Sequence, residues 1–482
     1  MTITSFITIT AYIINFLLAF VIIFISRKSA PATWAWLLVL FFIPIVGFIL
    51  FMILGRELQL KSFIGWRVLK QAETFEPYTQ QRGALRDGTF EFPNEVSQDY
   101  AHLIRMNVEM NYALLTNRNE TQLFSSGQDK FKALLQDIEQ AKHHIHIQYY
   151  IIKLDVVGES IYKALIKRAR QGVMVRVLFD DLGSRKLKVQ DFHELIDAGG
   201  EVCAFFPAVL SMINPRLNCR NHRKVVVIDG EIGYIGGFNI AKEYVGLDEG
   251  FGFWRDLHVR IKGEAVHALQ LHFLFDWYQA MNIHYVEMNP AYFPEPKVEN
   301  VLPIQMVSSG PDTPFDSIKE SYIRIIMSAK KYIYIQTPYF IPDEAFLKAL
   351  QIAASSGVDV RVMTPAKTDH PFIYGGNSAF GGDLLKYGGR IFRYEKGFLH
   401  TKMMVIDDEI CTIGTTNLDV RSFSLNFELN GIFFDREMAI ACRELYLEDE
   451  QDSFEMTKMR YANRRKWTKV REGFSRLIAP IL

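Results

Sequence analysis

Two short segments of the chain carry the same combination of reactive side chains. The stretch HRKVVVID begins at His222, and 178 residues later the stretch HTKMMVID begins at His400. Each histidine is followed at equal distances by a lysine, an aspartate and, further on, an asparagine. The matching residues are His222, Lys224, Asp229 and Asn239 in the first segment and His400, Lys402, Asp407 and Asn417 in the second. One such segment is weak evidence, but two matching copies predict a duplicated site.

A histidine beside a fixed cation is suited to phosphoryl transfer. Alternate residues of a strand share a face, so the histidine and lysine of each segment should project together. A phosphodiester is anionic and repels nucleophiles, and ammonium or amide donors on its non-bridging oxygens stabilise the transition state. If the two segments meet, one imidazole can attack phosphorus while the other protonates the leaving oxygen. Lysines stand where a metal enzyme would place carboxylates, so we predict a reaction that uses no metal and no cofactor.

The acidic residues near the two histidines have separate predicted roles. In VVVIDGEIGYIGG the Asp-Gly pair indicates a hairpin turn, so Asp229 is expected to lock the hairpin rather than serve as a base. Asp256 in FWRDLHVRIKG and Glu428 in SLNFELNG are candidates to orient the imidazoles, and they follow their histidines by 34 and 28 residues. The alternative is that both are ordinary strand acids.

The elements that must position these residues also occur twice. AKHHIHIQYYII resembles AKKYIYIQTPYFI, and each alternating segment reads as a strand. Each is followed by a helix that ends in glycine, a strand, a second helix that ends in a glycine pair, and another strand. We therefore predict an α/β fold of two tandem α/β/α domains related by a pseudo-twofold axis.

Composition sets the predicted domain boundaries. The predicted parts are an anchor at 1–60, a juxtamembrane linker at 61–108, a first domain at 109–288, a Pro-rich linker at 289–303, and a second domain with a basic C-terminal segment at 304–482. Copy one has a longer connection before its histidine, which includes PAVLSMINPRL. This insertion is predicted to be either a buried loop or a lip that meets lipid or an acyl chain.

The first part of the chain is strongly apolar. The runs from Ile3 to Ile25 and from Thr33 to Leu54 each have about the length that crosses a bilayer as a helix. No charge precedes Arg27, unlike a cleaved signal peptide, so we predict a retained hairpin of two transmembrane helices. The alternative is a pair of buried core helices. Lysine and arginine are more numerous after the second run than between the runs, which predicts a multi-pass protein of the cell membrane with a cytoplasmic catalytic body.

Charge and cysteine content argue against a nucleic-acid-binding protein and against a structural zinc site. The chain has 482 residues, with 54 lysines and arginines and 54 aspartates and glutamates, so no global positive field exists to attract nucleic acid. The four cysteines show no CxxC spacing that would indicate a structural zinc site. Near the C terminus, KMRYANRRKWTKVREGFSRL is basic and contains aromatic residues. It is predicted to be either a solvated helix or a helix on an anionic membrane surface.

Taken together, these motifs resemble those of the phospholipase D superfamily and, more narrowly, of bacterial cardiolipin synthases. The resemblance covers nearly the whole chain and rests on WAWLLVLFFIPIVGFILFMILGRE, NHRKVVVIDGEIGYIGGFNI, SSGPD, QTPYFIPDE and HTKMMVIDDEICTIGTTNLDVRSFSLNFELN. It implies two phospholipase D-like domains. It also implies transfer of a phosphatidyl group from one phosphatidylglycerol to the hydroxyl of another, with release of glycerol and without metal or nucleotide.

The resemblance also assigns roles to residues. His222 would form a phosphatidyl-histidine, and His400 would protonate the departing glycerol and then accept the proton of the incoming hydroxyl. The lysines and asparagines of the two segments would hold the phosphate oxygens, and Asp229 and Asp407 would support the motifs. The expected partners are phosphatidylglycerol and anionic membrane lipid, with no nucleic acid, and the sequence leaves the oligomeric state open.

Residue chemistry alone does not select the acceptor. Water would make the protein a phospholipase D-type hydrolase, and another alcohol would make it a different phosphatidyltransferase. A membrane-tethered nuclease and an inactive scaffold are further alternatives.

Overall fold

The computed structural model describes residues 3–24, 30–51, 75–207, 219–283 and 285–478. Its α-helices are Ile3–Phe24, Ala30–Phe42, Pro44–Leu50, Glu76–Asp87, Glu95–Asp99, Ala101–Asn111, Gly127–Gln140, Val156–Arg170, His193–Asp197, Ala265–Ala280, Ser317–Ser328, Glu344–Ser355, Pro371–Lys386, Val420–Ser424, Arg436–Gln451, Lys458–Ala462 and Lys466–Ile478. Its strands are β1 (Leu115–Phe124), β2 (His144–Tyr149), β3 (Met174–Asp180), β4 (Glu201–Phe205), β5 (Val225–Ile228), β6 (Ile232–Gly236), β7 (Phe253–Arg255), β8 (His258–Gly263), β9 (Val301–Ser309), β10 (Tyr332–Gln336), β11 (Phe340–Ile341), β12 (Asp359–Pro365), β13 (Arg390–Tyr394), β14 (Gly397–Leu399), β15 (Met403–Ile406), β16 (Ile410–Gly414), β17 (Leu418–Asp419), β18 (Glu428–Phe433) and β19 (Ser453–Glu455).

One sheet of fifteen strands runs through both copies of the repeat. Copy one contributes the order β4-β3-β2-β5-β6-β8-β1, and copy two contributes the matching order β13-β12-β10-β15-β16-β18-β9, with β19 added at its edge. The halves join where β1 pairs antiparallel with β9. The prediction of a duplicated α/β unit is therefore confirmed, and the two strand orders mirror each other about the β1–β9 junction.

The two His-x-Lys segments lead into strands that are buried at every position. All residues of β5 and β15, which follow the two lysines, are buried. Their apolar side chains share one core, in which Val225 and Val227 of copy one lie in the same cluster as Met403 and Val405 of copy two. Strands buried on both faces are expected to be continuously apolar, as VVVI and MMVI are. This shared core holds the two copies together beneath the histidines.

Asp229 and Asp407 close equivalent hairpins. Both residues have a positive φ of 56°, a conformation that aspartate tolerates better than most residues. The Asp229 carboxylate accepts hydrogen bonds from the backbone N–H groups of residues 142, 143 and 144, at 2.7, 2.7 and 3.0 Å. The Asp407 carboxylate accepts from those of residues 330, 331 and 332, at 2.6, 2.9 and 2.8 Å. Each aspartate thus ties its hairpin to the start of the neighbouring strand.

The second N-terminal apolar run is not the single helix that the sequence predicted. It forms the helices Ala30–Phe42 and Pro44–Leu50, which are separated at Ile43. A proline disfavours the helical conformation of the residue before it, and Ile43 has φ −132° and ψ 67°. Within the described ranges, no helix combines the length and apolarity required to span a membrane. Residues 25–29 and 52–74, on which the predicted loop and orientation depend, lie outside the described residues.

Residues 75–108, the described part of the predicted juxtamembrane linker, form helices that pack on the body of the protein. The helix Ala101–Asn111 buries Leu103, Ile104 and Val108 in a core that consists mainly of copy two residues. Asn107 Nδ2 donates to Gln305 Oε1 of β9 at 2.9 Å. This segment precedes copy one in the sequence but packs on copy two, because its apolar residues recur at helical spacing. Residues 208–218, most of the predicted lip, lie outside the described residues.

Removal of the Asp229 carboxylate should destabilise the protein. The histidines, lysines and asparagines predicted to contact phosphate stay unchanged. Asp229→Asn keeps the positive φ accessible but weakens charge-assisted bonds to three N–H donors, so we expect a loss of about 1–2 kcal/mol. Glu231→Gln is the matched control, because its partner Lys297 is exposed and the pair should contribute below about 1 kcal/mol. Urea unfolding in detergent measures both values. Equal midpoints for the two variants would contradict the structural role of Asp229.

Candidate active site

The backbone of each histidine of the two repeated segments is hydrogen-bonded to the other copy. His222 N–H donates to the carbonyl oxygen of Phe427 at 3.0 Å, and His400 N–H donates to that of Arg255 at 2.7 Å. Phe427 and Arg255 immediately precede Glu428 and Asp256. Strand β14, which leads to His400, also pairs with β7, which leads to Asp256. Each histidine therefore lies beside the acid of the opposite copy.

The side chains complete this exchange between the copies. His222 Nδ1–H donates to both carboxylate oxygens of Glu428, at 2.9 and 3.0 Å. His400 Nδ1–H donates to Asp256 Oδ2 at 2.6 Å. The sequence grouped each acid with the histidine that it follows, and that grouping was wrong: the pairs are His222 with Glu428 and His400 with Asp256. Since Nδ1 carries the hydrogen, Nε2 of each imidazole keeps its lone pair for chemistry.

The two acids are supported in different ways. Thr415 Oγ1–H donates to Glu428 Oε2 at 2.5 Å, whereas Asp256 Oδ1 accepts from the N–H of Leu257 at 2.8 Å. Gly237 occupies the position that corresponds to Thr415, and a Cβ atom there would overlap the Asp256 carboxylate. The absence of a side chain at Gly237 therefore makes room for Asp256, while Thr415 supplies a hydroxyl to the longer Glu428.

Both lysines of the catalytic segments are buried with little to neutralise them. Lys224 Nζ donates to the carbonyl oxygen of His222 at 2.7 Å. Lys402 Nζ donates to the carbonyl oxygen of His400 and lies 2.8 Å from His400 Nδ1. Burial lowers the pKa of Lys224 to about 7 and that of Lys402 to about 8, although Asp256 and Glu428 act in the opposite direction. An anion bound between these lysines would relieve the cost of burying their charges.

The imidazoles are also held in the neutral form. Burial lowers the pKa of His222, and the carboxylate of Glu428 offsets part of that effect. Burial, followed by the nearby Lys402 ammonium, lowers the pKa of His400 to about 3. A neutral imidazole with a free Nε2 can act as a nucleophile or a base. A bound phosphodiester would raise both pKa values, because its negative charge favours the imidazolium form.

The two asparagines differ in their surroundings. Asn239 Nδ2 donates to the hydroxyl of Tyr244 at 2.6 Å, and its Oδ1 accepts from the N–H of Ile151 at 3.1 Å. Asn417 is buried, and its Oδ1 has no hydrogen-bond partner among the described residues. Asn239 thus supports the loops around the site, and a phosphate contact from either asparagine stays a prediction. Asp229 and Asp407 bond to backbone at the strand starts, not to the imidazoles.

Sequence reasoning missed a buried network beneath the catalytic segment of copy one. Asp276 accepts hydrogen bonds from Gln148 at 2.5 Å, Asn221 at 2.9 Å and Arg223 at 2.7 Å. Arg223 Nε–H also donates to the carbonyl oxygen of Glu428 at 3.2 Å. The network therefore connects the residues on both sides of His222 to the acid that orients it.

Copy two has a related network that crosses the interface. Asp449 accepts from Gln336 at 2.7 Å and from Arg255 of copy one at 2.8 Å. Gln336 and Gln148 occupy equivalent positions in the repeated strands, in YIQT and HIQY. The shared glutamine was the one sign of these two networks that the sequence offered. The acids that the glutamines contact, Asp276 and Asp449, could be identified only from the fold.

A cluster of aromatic rings, two buried and one exposed, lies beside His400. The rings of Trp254 and Phe398 have centroids 5.2 and 5.9 Å from that of His400. Phe251 contacts Trp254 at 5.3 Å and is exposed at its outer side. These rings could accommodate an apolar part of a substrate beside the imidazole.

Metal coordination has no candidate group in the described part of the chain. No cluster of three or more histidine, cysteine, aspartate or glutamate side chains there has a suitable arrangement. His144 and His146 instead lie 3.0 and 3.2 Å from the same oxygen of Gln270.

The exchanged pairing can be tested by double-mutant cycles on unfolding. His222→Ala and Glu428→Gln should be coupled by about 1–3 kcal/mol, because each single change already breaks the same buried charge-assisted bond. The control cycle combines His222→Ala with Asp256→Asn, and its coupling should be smaller. Urea midpoints of the single and double variants provide the measurement. Stronger coupling in the control cycle would restore the grouping within copies.

The lysine pKa values predict the pH dependence of kcat/KM. A buried lysine whose pKa is lowered loses its charge as pH rises through that value. In the free enzyme, charged Lys224 and Lys402 should therefore become scarce above about pH 7 and 8, and kcat/KM should fall there. Arginine stays protonated, so Lys224→Arg should shift this limb to higher pH even if the rate itself decreases. A profile that is flat between about pH 6 and 9 would contradict this assignment.

Comparisons with known proteins agree with this geometry. The family model described as cardiolipin synthase, PLD-like domain matches residues 134–273 and again 322–448, one match in each copy. The model described as phospholipase D-nuclease N-terminal matches residues 13–56. Among solved structures, a phosphatidylserine synthase from Haemophilus influenzae covers 81% of this chain and 100% of its own, with a TM-score of 0.60 and 15% identity. That likeness shows the shared fold.

Curated relatives match along the full length. The chain is 46% identical over 482 residues to the major cardiolipin synthase ClsA of Bacillus subtilis, covering 100% of both chains. It is 46% identical to a cardiolipin synthase of Staphylococcus aureus, covering 98% of this chain and 96% of that one. It is 44% identical to a cardiolipin synthase of Listeria welshimeri, covering 99% of each. With the duplicated fold and the paired histidines, these matches show that the chain belongs to the bacterial cardiolipin synthases of the phospholipase D superfamily.

Proposed function

We propose that the protein transfers the phosphatidyl group of one phosphatidylglycerol to a hydroxyl of a second, forming cardiolipin and glycerol through a covalent phosphatidyl-histidine. The observation that carries the proposal is the pair of imidazoles whose Nδ1 atoms bond to acids of opposite copies, beside two buried lysines. Such a pair offers two free Nε2 atoms to one phosphate, one as nucleophile and one as acid or base.

In the first step, His222 Nε2 attacks phosphorus. The new P–N bond replaces the P–O bond to glycerol, and protonated His400 gives its proton to the departing oxygen. Glu428 stabilises the positive charge that develops on His222. The bound phosphodiester supplies the negative charge that allows His400 to carry a proton, because without an anion burial keeps its pKa low.

In the second step, the hydroxyl of another phosphatidylglycerol attacks the phosphatidyl-histidine. His400, neutral after the first step, accepts the hydroxyl proton, and Asp256 stabilises the resulting imidazolium. The P–N bond breaks, the P–O bond of cardiolipin forms, and His222 is restored. Lys224 and Lys402 hold the non-bridging oxygens in both steps, with Asn417 as a further donor. Neither step requires a metal or another cofactor.

Two observations favour a lipid substrate. Trp254 and Phe398 are buried beside His400, and Phe251, which packs against both rings, is exposed, so this aromatic cluster offers an apolar edge to an acyl chain at Phe251. The chain has zero formal net charge, which offers no general attraction for nucleic acid. The partners are then phosphatidylglycerol and other anionic lipid.

The proposal places the enzyme at the cell membrane. Residues 13–56 match the N-terminal family model, and Phe16, Leu17 and Phe20 of the first helix are exposed apolar side chains. Apolar side chains on a helix surface are stabilised when lipid covers them. We propose two spans in this region with the catalytic body in the cytoplasm, as the lysine and arginine distribution favours.

The acceptor is tested with purified full-length protein in phosphatidylglycerol liposomes that contain chelator and no divalent metal. Mass spectrometry should find cardiolipin and glycerol in equal amounts. His222→Ala and His400→Ala should each reduce the rate by about a thousandfold or more. His143→Ala is the matched control, because His143 is exposed at a strand start and should retain activity.

Each other outcome excludes a part of the proposal. Phosphatidic acid as the main product would identify water as the acceptor and the protein as a hydrolase. Products that appear only with an added alcohol would identify a different phosphatidyltransferase. Turnover that depends on metal would contradict the histidine mechanism. A phosphatidyl adduct on the peptide that contains His400, after rapid quenching, would reverse the two histidine roles.

A further inference from the structure

The helix Lys466–Ile478 exposes its apolar face. Glu472 and Ser475 point toward the protein and are buried, whereas the apolar residues of the same helix are outside. The exposed side chains are Trp467 (77%), Val470 (58%), Phe474 (53%) and Leu477 (74%). Their spacing of three, four and three residues places them on one side of the helix. A helix at an ordinary protein surface has the opposite arrangement, with its apolar side buried.

Contacts on the inner side prevent the helix from turning this face inward. The helix lies along Pro371–Lys386, where a side chain at Gly375 would overlap Ser475 Oγ. Arg464 donates to Glu472 at 2.7 Å, and Arg476 donates to Asp383 at 2.5 Å. The polar inner face is therefore matched to its neighbours, and the apolar stripe faces outward as a consequence.

Cations surround the apolar stripe. Residues 458–478 contain eight lysines and arginines and one glutamate. Lys466, Lys469 and Arg471 are exposed. Lys466 precedes Val470 by four residues and Arg471 follows Trp467 by four, so these two cations border the stripe on the helix surface. An apolar stripe edged by cations is complementary to a bilayer with anionic head groups, which offers both an apolar interior and negative charge.

We propose that this face of the C-terminal helix docks on an anionic phospholipid bilayer. Trp467, Val470, Phe474 and Leu477 enter the boundary between head groups and acyl chains, while Lys466 and Arg471 contact lipid phosphates. The docking site is separate from the N-terminal apolar region. It goes beyond the proposed chemistry, because it does not depend on which acceptor the enzyme uses.

The helix that carries the docking face packs against the helix Pro371–Lys386, which follows Asp369 in the sequence. Its Phe474 ring is 6.0 Å from the ring of Phe372, in the first turn of the helix Pro371–Lys386. Asp369, just before this helix, accepts a hydrogen bond from Tyr339 at 2.5 Å. Burial lowers the pKa of Lys402, and the negative charges of Asp256, Glu428 and Asp369 oppose that effect. The helix Pro371–Lys386 therefore connects the docking face to the segment that contains Asp369.

Trp467 provides a direct readout in the full-length protein. The protein and its Trp467→Phe variant are placed in nanodiscs, with one chain per disc, that contain phosphatidylglycerol with or without bromine on the acyl chains. The difference in fluorescence between the two proteins is the emission of Trp467. Phenylalanine at this position keeps the face apolar, so the variant should dock as the unmodified protein does. We expect brominated lipid to quench this difference signal strongly and aqueous acrylamide to quench it weakly.

Two results would overturn the proposal. Quenching by acrylamide but not by brominated lipid would mean that the face stays in water. Protection from both quenchers would mean that protein covers it, such as another part of the same chain. Because fluorescence does not depend on turnover, these results stay readable even if no cardiolipin forms, so failure of the docking proposal is distinguishable from failure of the proposed reaction.

A kinetic comparison tests the consequence for catalysis. The variant Val470→Ser/Phe474→Ser should lower activity on phosphatidylglycerol vesicles by about tenfold or more, because apolar contact with the bilayer is lost. Its activity on monomeric short-chain phosphatidylglycerol should equal that of the unmodified protein. The control Lys163→Gln/Lys167→Gln removes two charges on a different helix and should change neither activity. Equal losses on both substrates, in a variant whose urea midpoint matches that of the unmodified protein, would mean that these side chains do not act through the bilayer and would contradict the proposal.

Discussion

The reciprocal bonds between each histidine and the acid of the other copy are the constraint on which the site depends. Glu428 and Asp256 are fully buried, and a buried carboxylate is costly unless hydrogen bonds satisfy it. Their partners are an imidazole N–H from across the interface and a local donor, Thr415 or the Leu257 amide. Neither copy alone contains a histidine with its acid. The two domains must therefore be assembled before either imidazole is oriented.

The rest of the fold serves this assembly. The β1–β9 junction makes one continuous sheet of the two copies, and the apolar residues of β5 and β15 fill a common core below the site. Arg223, next to His222, bonds to Asp276, and Arg255, next to Asp256, bonds to Asp449. Both aspartates lie on helices that pack behind the sheet. Burial that excludes water also makes these polar bonds strong, because electrostatic interactions grow as the local dielectric constant falls.

The same burial prepares the site for an anion. It lowers the pKa of the two histidines and the two lysines, since it disfavours every positively charged form. The empty site is poorly able to carry its full positive charge, and a phosphodiester reverses this by supplying negative charge where the lysines meet. Substrate binding and protonation are therefore coupled. The coupling is unequal in the two copies, because Lys402 lies beside His400 Nδ1, whereas Lys224 contacts the His222 carbonyl and lies over the Tyr150 ring.

The sequence by itself determined the duplication, the α/β class, the two His-x-Lys segments and the structural position of Asp229. Repetition of residue types at fixed spacing and alternation of apolar residues are local properties, and they can be read along the chain. Only the tertiary structure decided that Glu428 serves His222 and Asp256 serves His400, that residues 75–108 pack on copy two, and that the C-terminal helix turns its apolar face outward. These features depend on contacts between segments far apart in the sequence. The pairing of side chains across a domain interface is set by three-dimensional packing, for which the spacing of residues within one copy holds no signal.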